Sequence, residues 1–388
     1  MLSALLLCFA AAGTALGGIS ESEADCARLL CLNIGKADCM LLAYEGSFYL
    51  IDTGYSQTYP ALTAALREMG VTHLNGVFLT HCHQDHQGGL MPLAQSSLPV
   101  DAWYAARIFY DQKASKHPAL LAAWERGMDV EWLDAGDVIP VGQHGSLTVL
   151  GPLTVNEDNE NNNSLVLRFS SPAGSILFAG DMKEDEEGEL LNAGLLSPCD
   201  VLKVGHHGDS GASSKAFLNA VMPRAAIILT NSQEEPDTPA VSTLRRLENT
   251  GAKVYVSQDY HDALLLTLEN GAPTVEDVSW QGVPERAAGL SLRLNLDQDT
   301  VTISNNGFGS LSLQGCMMYS TKGNELLPVP DVTLAPGASC VIGTQATKTS
   351  VDYVWDEKQV WHKTKSDFAI LYDAYGRPLC CTGNGIGE

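Results

Sequence analysis

The stretch Thr80-His81-Cys82-His83-Gln84-Asp85-His86-Gln87-Gly88-Gly89 constrains this chain more than any other part of it. It follows a short apolar run, Val77–Thr80, that reads as a buried strand, and its Gly-Gly pair opens a helix. An H-x-H-x-D-H run leaving a strand puts His81 and His83 on one side of an extended turn. Asp85 and His86 then project from the start of the next helix. Neutral imidazole and carboxylate suit zinc or manganese, and four such groups divided two and two suit a pair of cations. Five of the ten histidines fall in this run and in His206-His207, so they are not scattered.

Two further pieces sit at the ends of apolar strands. Phe178-Ala179-Gly180-Asp181 ends in an aspartate that can bridge two cations. Leu202-Lys203-Val204-Gly205-His206-His207-Gly208 ends in a histidine pair. Such a pair can supply a metal ligand and an acid/base or oxyanion-contacting group. Alone, the Gly-Asp piece is also an ordinary turn and a histidine pair is more often structural than catalytic; the three together describe one shared site.

The organisation around these pieces is that of an α/β domain. Arg28–Ile34 and Met40–Ile51 read as strands, with Glu45-Gly46 as a hairpin turn. Ala61–Met69 reads as a helix stopped by Gly70. Ser164–Phe169 and Ser175–Ala179 form a second hairpin, and strands then alternate with helices up to residue 275. An α/β domain is therefore expected over 26–275, a linker over 276–289, and an all-β sandwich of short, turn-bounded strands over 290–383. Glu157–Asn163 and Lys183–Glu189 read as solvated polar loops. Trp355 and Trp361 are either core or a binding face.

Charge and leader bound the function. Lys+Arg is 23 against Asp+Glu 46, a net charge of -23. A chain this acidic has no global attraction to nucleic acid or anionic membrane, so a polyanionic substrate needs a local site, most simply bound cations. Leu2–Gly17 is too short for a confident membrane span. It reads as the core of a signal peptide over 1–18, with Ala15-Leu16-Gly17 as its cleavage site, and predicts export. In an oxidising compartment Cys26 and Cys31 could bridge, as could other pairs.

The same residues carry a resemblance. Asp52 in Leu50-Ile51-Asp52-Thr53-Gly54, the His81–Gly89 run, Gly180-Asp181 and Gly205-His206-His207-Gly208 resemble the metallo-β-lactamase fold, an αββα sandwich. Gly35-Lys36-Ala37-Asp38, Asn162-Asn163-Ser164-Leu165-Val166-Leu167 and Lys203 before the histidine pair are similar to the hydrolase domain of ComEC-type DNA-uptake competence proteins. The resemblance implies two divalent metal ions, zinc or manganese. His81 and His83 would bind one, Asp85 and His86 the other, and Asp181 both. His206 would be a further ligand, although the sequence does not separate it from His207. Asp85, His206, His207 and Lys203 are the catalytic candidates, with Lys203 either a substrate contact or a structural lysine. Asp52 and Asn163 would support the ligands from behind.

There are departures. Asn162-Asn163 stands where the wider superfamily has a further histidine, so the first cation is expected to have an amide or water ligand and bind more weakly. Thr238-Pro239 stands where the competence type has His-Pro. Lys36 and Ala37 alter the opening motif. In the β module, Val301–Asn305, Leu313–Cys316, Leu334–Gly337 and Leu371–Gly376 resemble a lamin-tail domain, which is immunoglobulin-like. The expected function is a secreted phosphodiesterase or nuclease acting on DNA or related phosphodiesters. It would have no transmembrane domain, and its β module would bind a cell-surface or protein partner. The alternatives are a metallohydrolase of a lactone or β-lactam and a non-catalytic surface-binding protein.

Overall fold

A computed structural model describes residues 26–108, 128–280, 289–323, 325–364, 367–374 and 378–383. The expected signal peptide, 1–18, and residues 281–288 of the expected linker lie outside the described residues.

The first half of the α/β part begins with three antiparallel strands, β1 (Cys26–Leu32), β2 (Met40–Tyr44) and β3 (Ser47–Ile51). Helix α1 (Tyr59–Glu68) follows. Its Leu62, Ala65 and Leu66 are spaced to share one buried face. Then come β4 (Gly76–Leu79), the short α2 (Gln84–Gln87), α3 (Leu90–Ala94), β5 (Trp103–Ala106) and β6 (Val130–Leu133). The second half holds β7 (Val138–Val141), β8 (Gly145–Gly151), β9 (Val166–Ser171), β10 (Gly174–Phe178), α4 (Glu184–Asn192), β11 (Val201–Lys203) and α5 (Lys215–Val221). It continues with β12 (Ala225–Ile228), α6 (Val241–Thr250), β13 (Lys253–Val256), β14 (Ala263–Glu269) and β15 (Ala272–Val278).

These strands form two sheets, β15-β14-β1-β2-β3-β4-β5-β6 and β13-β12-β11-β10-β9-β8-β7. Alternation along the strands explains why the sheets stack. Ile176 and Phe178 of β10 and Ala225 and Ile227 of β12 join Leu30, Leu42 and Phe78 in one core between the sheets. The intervening Leu177, Ala226 and Ile228 face the other way, onto Leu190 of α4, Phe217 and Leu218 of α5 and Leu247 of α6. β3 with β4, and β10 with β11, are parallel pairs. Their carboxyl ends carry Asp52, Thr80–His81, Asp181 and the histidine pair.

Two polar runs differ from the solvated loops that charge alone suggests. Lys183–Glu189 forms most of α4, with Glu186 and Glu187 buried. Glu187 accepts the backbone amides of Ser213 and Ser214 at the start of α5, so its charge is used at a helix N-terminus. Asn161, Asn162 and Asn163 are buried in a 3-10 turn. Strand β15 also runs three residues past 275.

From residue 289 the described chain is all strand and turn. β16 (Leu290–Asn295), β17 (Thr300–Asn305), β22 (Ser339–Gly343) and β23 (Tyr353–Val354) form one sheet. β20 (Glu325–Pro328), β19 (Met317–Ser320), β24 (Phe368–Tyr372) and β25 (Pro378–Gly383) form the facing one. A small pair, β18 (Leu311–Ser312) and β21 (Thr333–Leu334), flanks them. Val301, Ile303, Met318, Ile342 and Leu371 share the core with Trp355 and Trp361. The two indoles meet edge-on at 6.3 Å, so they are core and not a binding face.

Among the described residues no disulfide joins two cysteines. Cys26 and Cys31 lie on the same extended strand β1. Five strand steps separate them by roughly 17 Å, well beyond the reach of a disulfide.

Candidate metal centre

Asp52 follows β3 in a left-handed conformation, φ 59°, which a non-glycine residue adopts at a cost. That turn sends its carboxylate under the end of β4. Oδ1 accepts the Thr80 amide at 2.8 Å, and Oδ2 accepts the Thr80 hydroxyl at 2.7 Å. Oδ2 also lies 2.7 Å from His86 Nδ1. Burial lifts the Asp52 carboxyl above its ordinary value, while His86 pulls it back. Held this way, His86 turns its Nε2 inward.

Helix α2 is locked to the neighbouring loops by backbone. The Thr53 amide and hydroxyl both donate to the His86 carbonyl, at 2.6 and 3.0 Å. The Asp38 amide donates to the Asp85 carbonyl at 3.0 Å. The two glycines are needed for this approach: a Cβ on Gly88 would sit 2.4 Å from the Ser56 amide nitrogen, and one on Gly89 would sit 2.5 Å from the Thr53 carbonyl oxygen.

The side chains converge in two sets that share Asp181. In the first, His81 Nε2 lies 3.0 Å from His83 Nδ1 and 3.7 Å from Asp181 Oδ2. In the second, His86 Nε2 lies 3.3 Å from Asp181 Oδ1, and His207 Nε2 lies 3.2 Å from Asp85 Oδ2 and 3.5 Å from Asp181 Oδ1. Each oxygen of Asp181 thus faces a different set.

This donor set fits divalent cations. Asp181 Oδ1, His86 Nε2 and His207 Nε2 are buried and make no aligned hydrogen bond. One such atom costs about 1–3 kcal/mol if left unpaired, and here three point at one another. Asp85 and Asp181 are anionic: burial pushes both up, but the neighbouring imidazoles hold both well below the usual carboxylate range. Burial, with the nearby His86 charge, keeps His81 well below its ordinary value and so neutral, the form that ligates. Although burial opposes it, the carboxylates draw a proton onto His207, raising it to about 9. The same negative field attracts cations.

The remaining candidates divide by position. His206, His207 and Gly208 are three successive left-handed residues, φ 46°, 53° and 80°. They splay the imidazoles apart. His207 is buried, with Nδ1 donating to the Leu229 carbonyl at 2.8 Å, and joins the second set. His206, the histidine expected as a ligand, belongs to neither set. Its Nε2 stands 3.8 Å from Asp181 Oδ2 and 3.3 Å from Asn161 Nδ2. Lys203 does not face the opening. It is fully buried, with Nζ paired to Asp38 and donating to the Gly180 carbonyl at 3.2 Å. Its carboxylate partner lies beneath the site, which draws the ammonium away from any substrate. Asn163 is likewise turned from the ligands, bonded to the backbone of Asn156 on both sides of its amide. Thr238 Oγ1 meets Thr230 Oγ1 at 2.6 Å.

Sequence reasoning missed two residues. Asp38 was part of the opening motif but had no role; the need of a buried Lys203 for a counter-charge was the available signal. Asn161 adjoins the Asn162-Asn163 pair and meets His206, its Nδ2 3.3 Å from His206 Nε2, and nothing in a three-asparagine run says which one makes that contact.

Residues 32–232 match the profile of the metallo-beta-lactamase superfamily. The chain belongs to that superfamily. It is similar to ComE operon protein 3 of Bacillus subtilis (strain 168), 28% identical over 253 residues, covering 61% of this chain and 32% of that protein. It is also similar to Competence protein ComA of Neisseria gonorrhoeae, 26% identical over 241 residues, with 61% and 32% covered. The chain thus spans about a third of the length of these superfamily relatives. Among solved structures it is similar in fold to a diphosphatase of the PhnP family, at TM-score 0.41 and 17% identity, covering 63% of this chain and 98% of that one. Among the described residues no helix is long and apolar enough to cross a membrane.

Proposed function

We propose that this superfamily hydrolase is a metal-dependent phosphodiesterase acting on nucleic acid or related phosphodiesters, with two zinc or manganese ions as its cofactors. The observation that carries the reading is the shared Asp181, with one oxygen toward His81 and His83 and the other toward Asp85, His86 and His207. A pair of bound cations would neutralise phosphate charge and acidify a water at neutral pH. The chain's own groups do the rest. Asp52 and the Leu229 carbonyl hold the Nδ1 atoms of His86 and His207, keeping each Nε2 turned inward. His206 stands at the rim, partly exposed, where it can pass a proton to a leaving oxygen. Beside His206, Asp209 pairs with Lys183 at 3.3 Å.

Similarity to competence proteins supports the phosphodiester reading. Under the same proposal the chain is exported by its first 18 residues, and the lamin-tail-like β module binds a cell-surface or protein partner.

The test is direct. The purified chain is assayed on single-stranded DNA and bis-p-nitrophenyl phosphate with Mn²⁺ or Zn²⁺, beside His83→Ala. Metal-dependent cleavage, lowered by at least about a hundredfold in the variant, is expected. Turnover of a lactone or β-lactam with neither phosphodiester cleaved overturns the substrate class.

A further inference from the structure

The β sandwich is buried on more than its inner side. In β19 and β20 the cross-strand pair Met318–Leu327 points into the sandwich core, so the adjoining pair Tyr319–Leu326 points out of it. A tyrosine on the outer face of a sheet should meet water, yet Tyr319 is only 8% exposed. The α/β part covers this face. Leu326 packs against the core between the two large sheets. Strand β20 lies against the 3-10 turn Ser56–Thr58, and the Tyr319 phenol shares a side-chain hydrogen bond with Ser56.

Ser56 belongs to the turn that rests on α2. The Ser56 amide nitrogen and the Tyr55 carbonyl carbon both lie against Gly88. The Gly89 amide donates to the Gly54 carbonyl at 3.2 Å. The Thr58 amide and hydroxyl both donate to the Tyr55 carbonyl, at 3.1 and 2.9 Å. Residues 54–58 are thus seated on the helix that carries Asp85 and His86. Tyr55 is half-buried. Burial, then the charges of Asp85, Glu235, Glu234 and Asp181, pushes its phenol up to about 12. It is therefore a neutral hydrogen-bond donor in the field of the metal-centre carboxylates. Helix α2 is held by its own backbone bonds to Thr53 and Asp38, so what the Ser56 contact governs is the direction of Tyr55.

We propose that the β sandwich is a working part of the hydrolase site, with Tyr319 a positioning residue that, through Ser56, sets the Tyr55 phenol as a donor to an oxygen of the bound substrate. This rests on the metal-hydrolase reading. No metal ligand depends on Tyr319, so its effect falls on substrate binding and not on cation uptake.

Hydrogen exchange and kinetics on the full chain test the assignment, with Tyr319→Phe, Leu326→Glu and Tyr55→Phe as the variants. Tyr319→Phe should speed amide exchange within residues 54–58 by about threefold or more. It should raise KM on bis-p-nitrophenyl phosphate by a similar factor, with kcat and calorimetric Mn²⁺ uptake unchanged. Leu326→Glu, on the outer face and so outside the sandwich core, should speed the same exchange further. Tyr55→Phe should raise KM, and adding Tyr319→Phe to it should raise KM no more. Unchanged exchange in both Tyr319→Phe and Leu326→Glu overturns the docking. An unchanged KM in Tyr55→Phe, or a KM that climbs again in the double variant, overturns the positioning role. If wild type cleaves no phosphodiester, the substrate role of Tyr55 fails with the hydrolase reading, while the exchange result still decides the docking.

Discussion

Asp52 acts through His86. Its Oδ2 sits 2.7 Å from His86 Nδ1, and its other contacts are with Thr80. Asp52→Ala should free the imidazole to rotate and weaken metal binding by about 10–100-fold. Competition against a coloured chelator would measure this, and unchanged affinity would show that the ring is held by packing alone. The same scale shows what the sequence could and could not reveal. His81, His83, Asp85 and His86 were legible because their relation is local: a strand end and a short helix fix which side they share. His207 was not. Three left-handed residues decide which histidine of the pair turns inward. Lys203 was legible as a site-motif residue, but its direction depended on Asp38, more than 160 positions away in the sequence.

Helix α4 shows where element reading by charge breaks down. A run rich in Glu reads as solvated, yet Glu186 is buried against Gly151 and Leu190. The Ser164 amide approaches its carboxyl without an aligned bond. Burial, with Glu189 and Glu187 nearby, raises the Glu186 carboxyl well above its ordinary value. In the unfolded chain it ionises near the usual carboxylate value, while in the folded chain it keeps its proton to higher pH. The folded state therefore loses stability as pH rises from that usual value toward the raised one. Glu186→Gln should stabilise the apo protein at neutral pH by about 1–3 kcal/mol, and the gain should shrink as pH approaches the ordinary carboxylate range. Thermal melts of both proteins between mildly acidic and neutral pH would check it; a gain that grows on acidification would contradict it. By contrast the strands of both cores were legible, since the alternation in β10 and β12 is dictated by two buried faces.

At the scale of the whole molecule the net charge of -23 shapes encounter with substrate. An acidic body repels a polyanion at long range, and salt screens that repulsion. The specificity constant on an oligonucleotide should therefore rise as monovalent salt goes from about 10 to about 150 mM, while that on bis-p-nitrophenyl phosphate changes little. A steep fall with salt, the behaviour of basic nucleic-acid binders, would point to a cationic surface that this sequence does not offer. The division into an α/β part and a β sandwich was legible from the change in strand texture near residue 290. Its exact edge was not, because β15 continues the first sheet through a segment whose Gly and Pro content reads as linker. The centre of the account remains the carboxylate that both donor sets share. Anomalous scattering from crystals loaded with Mn²⁺ or Zn²⁺ should show two peaks, one on each side of Asp181, beside His81 and His83 on one flank and Asp85, His86 and His207 on the other. The absence of any peak within ligand distance of Asp181 would contradict it.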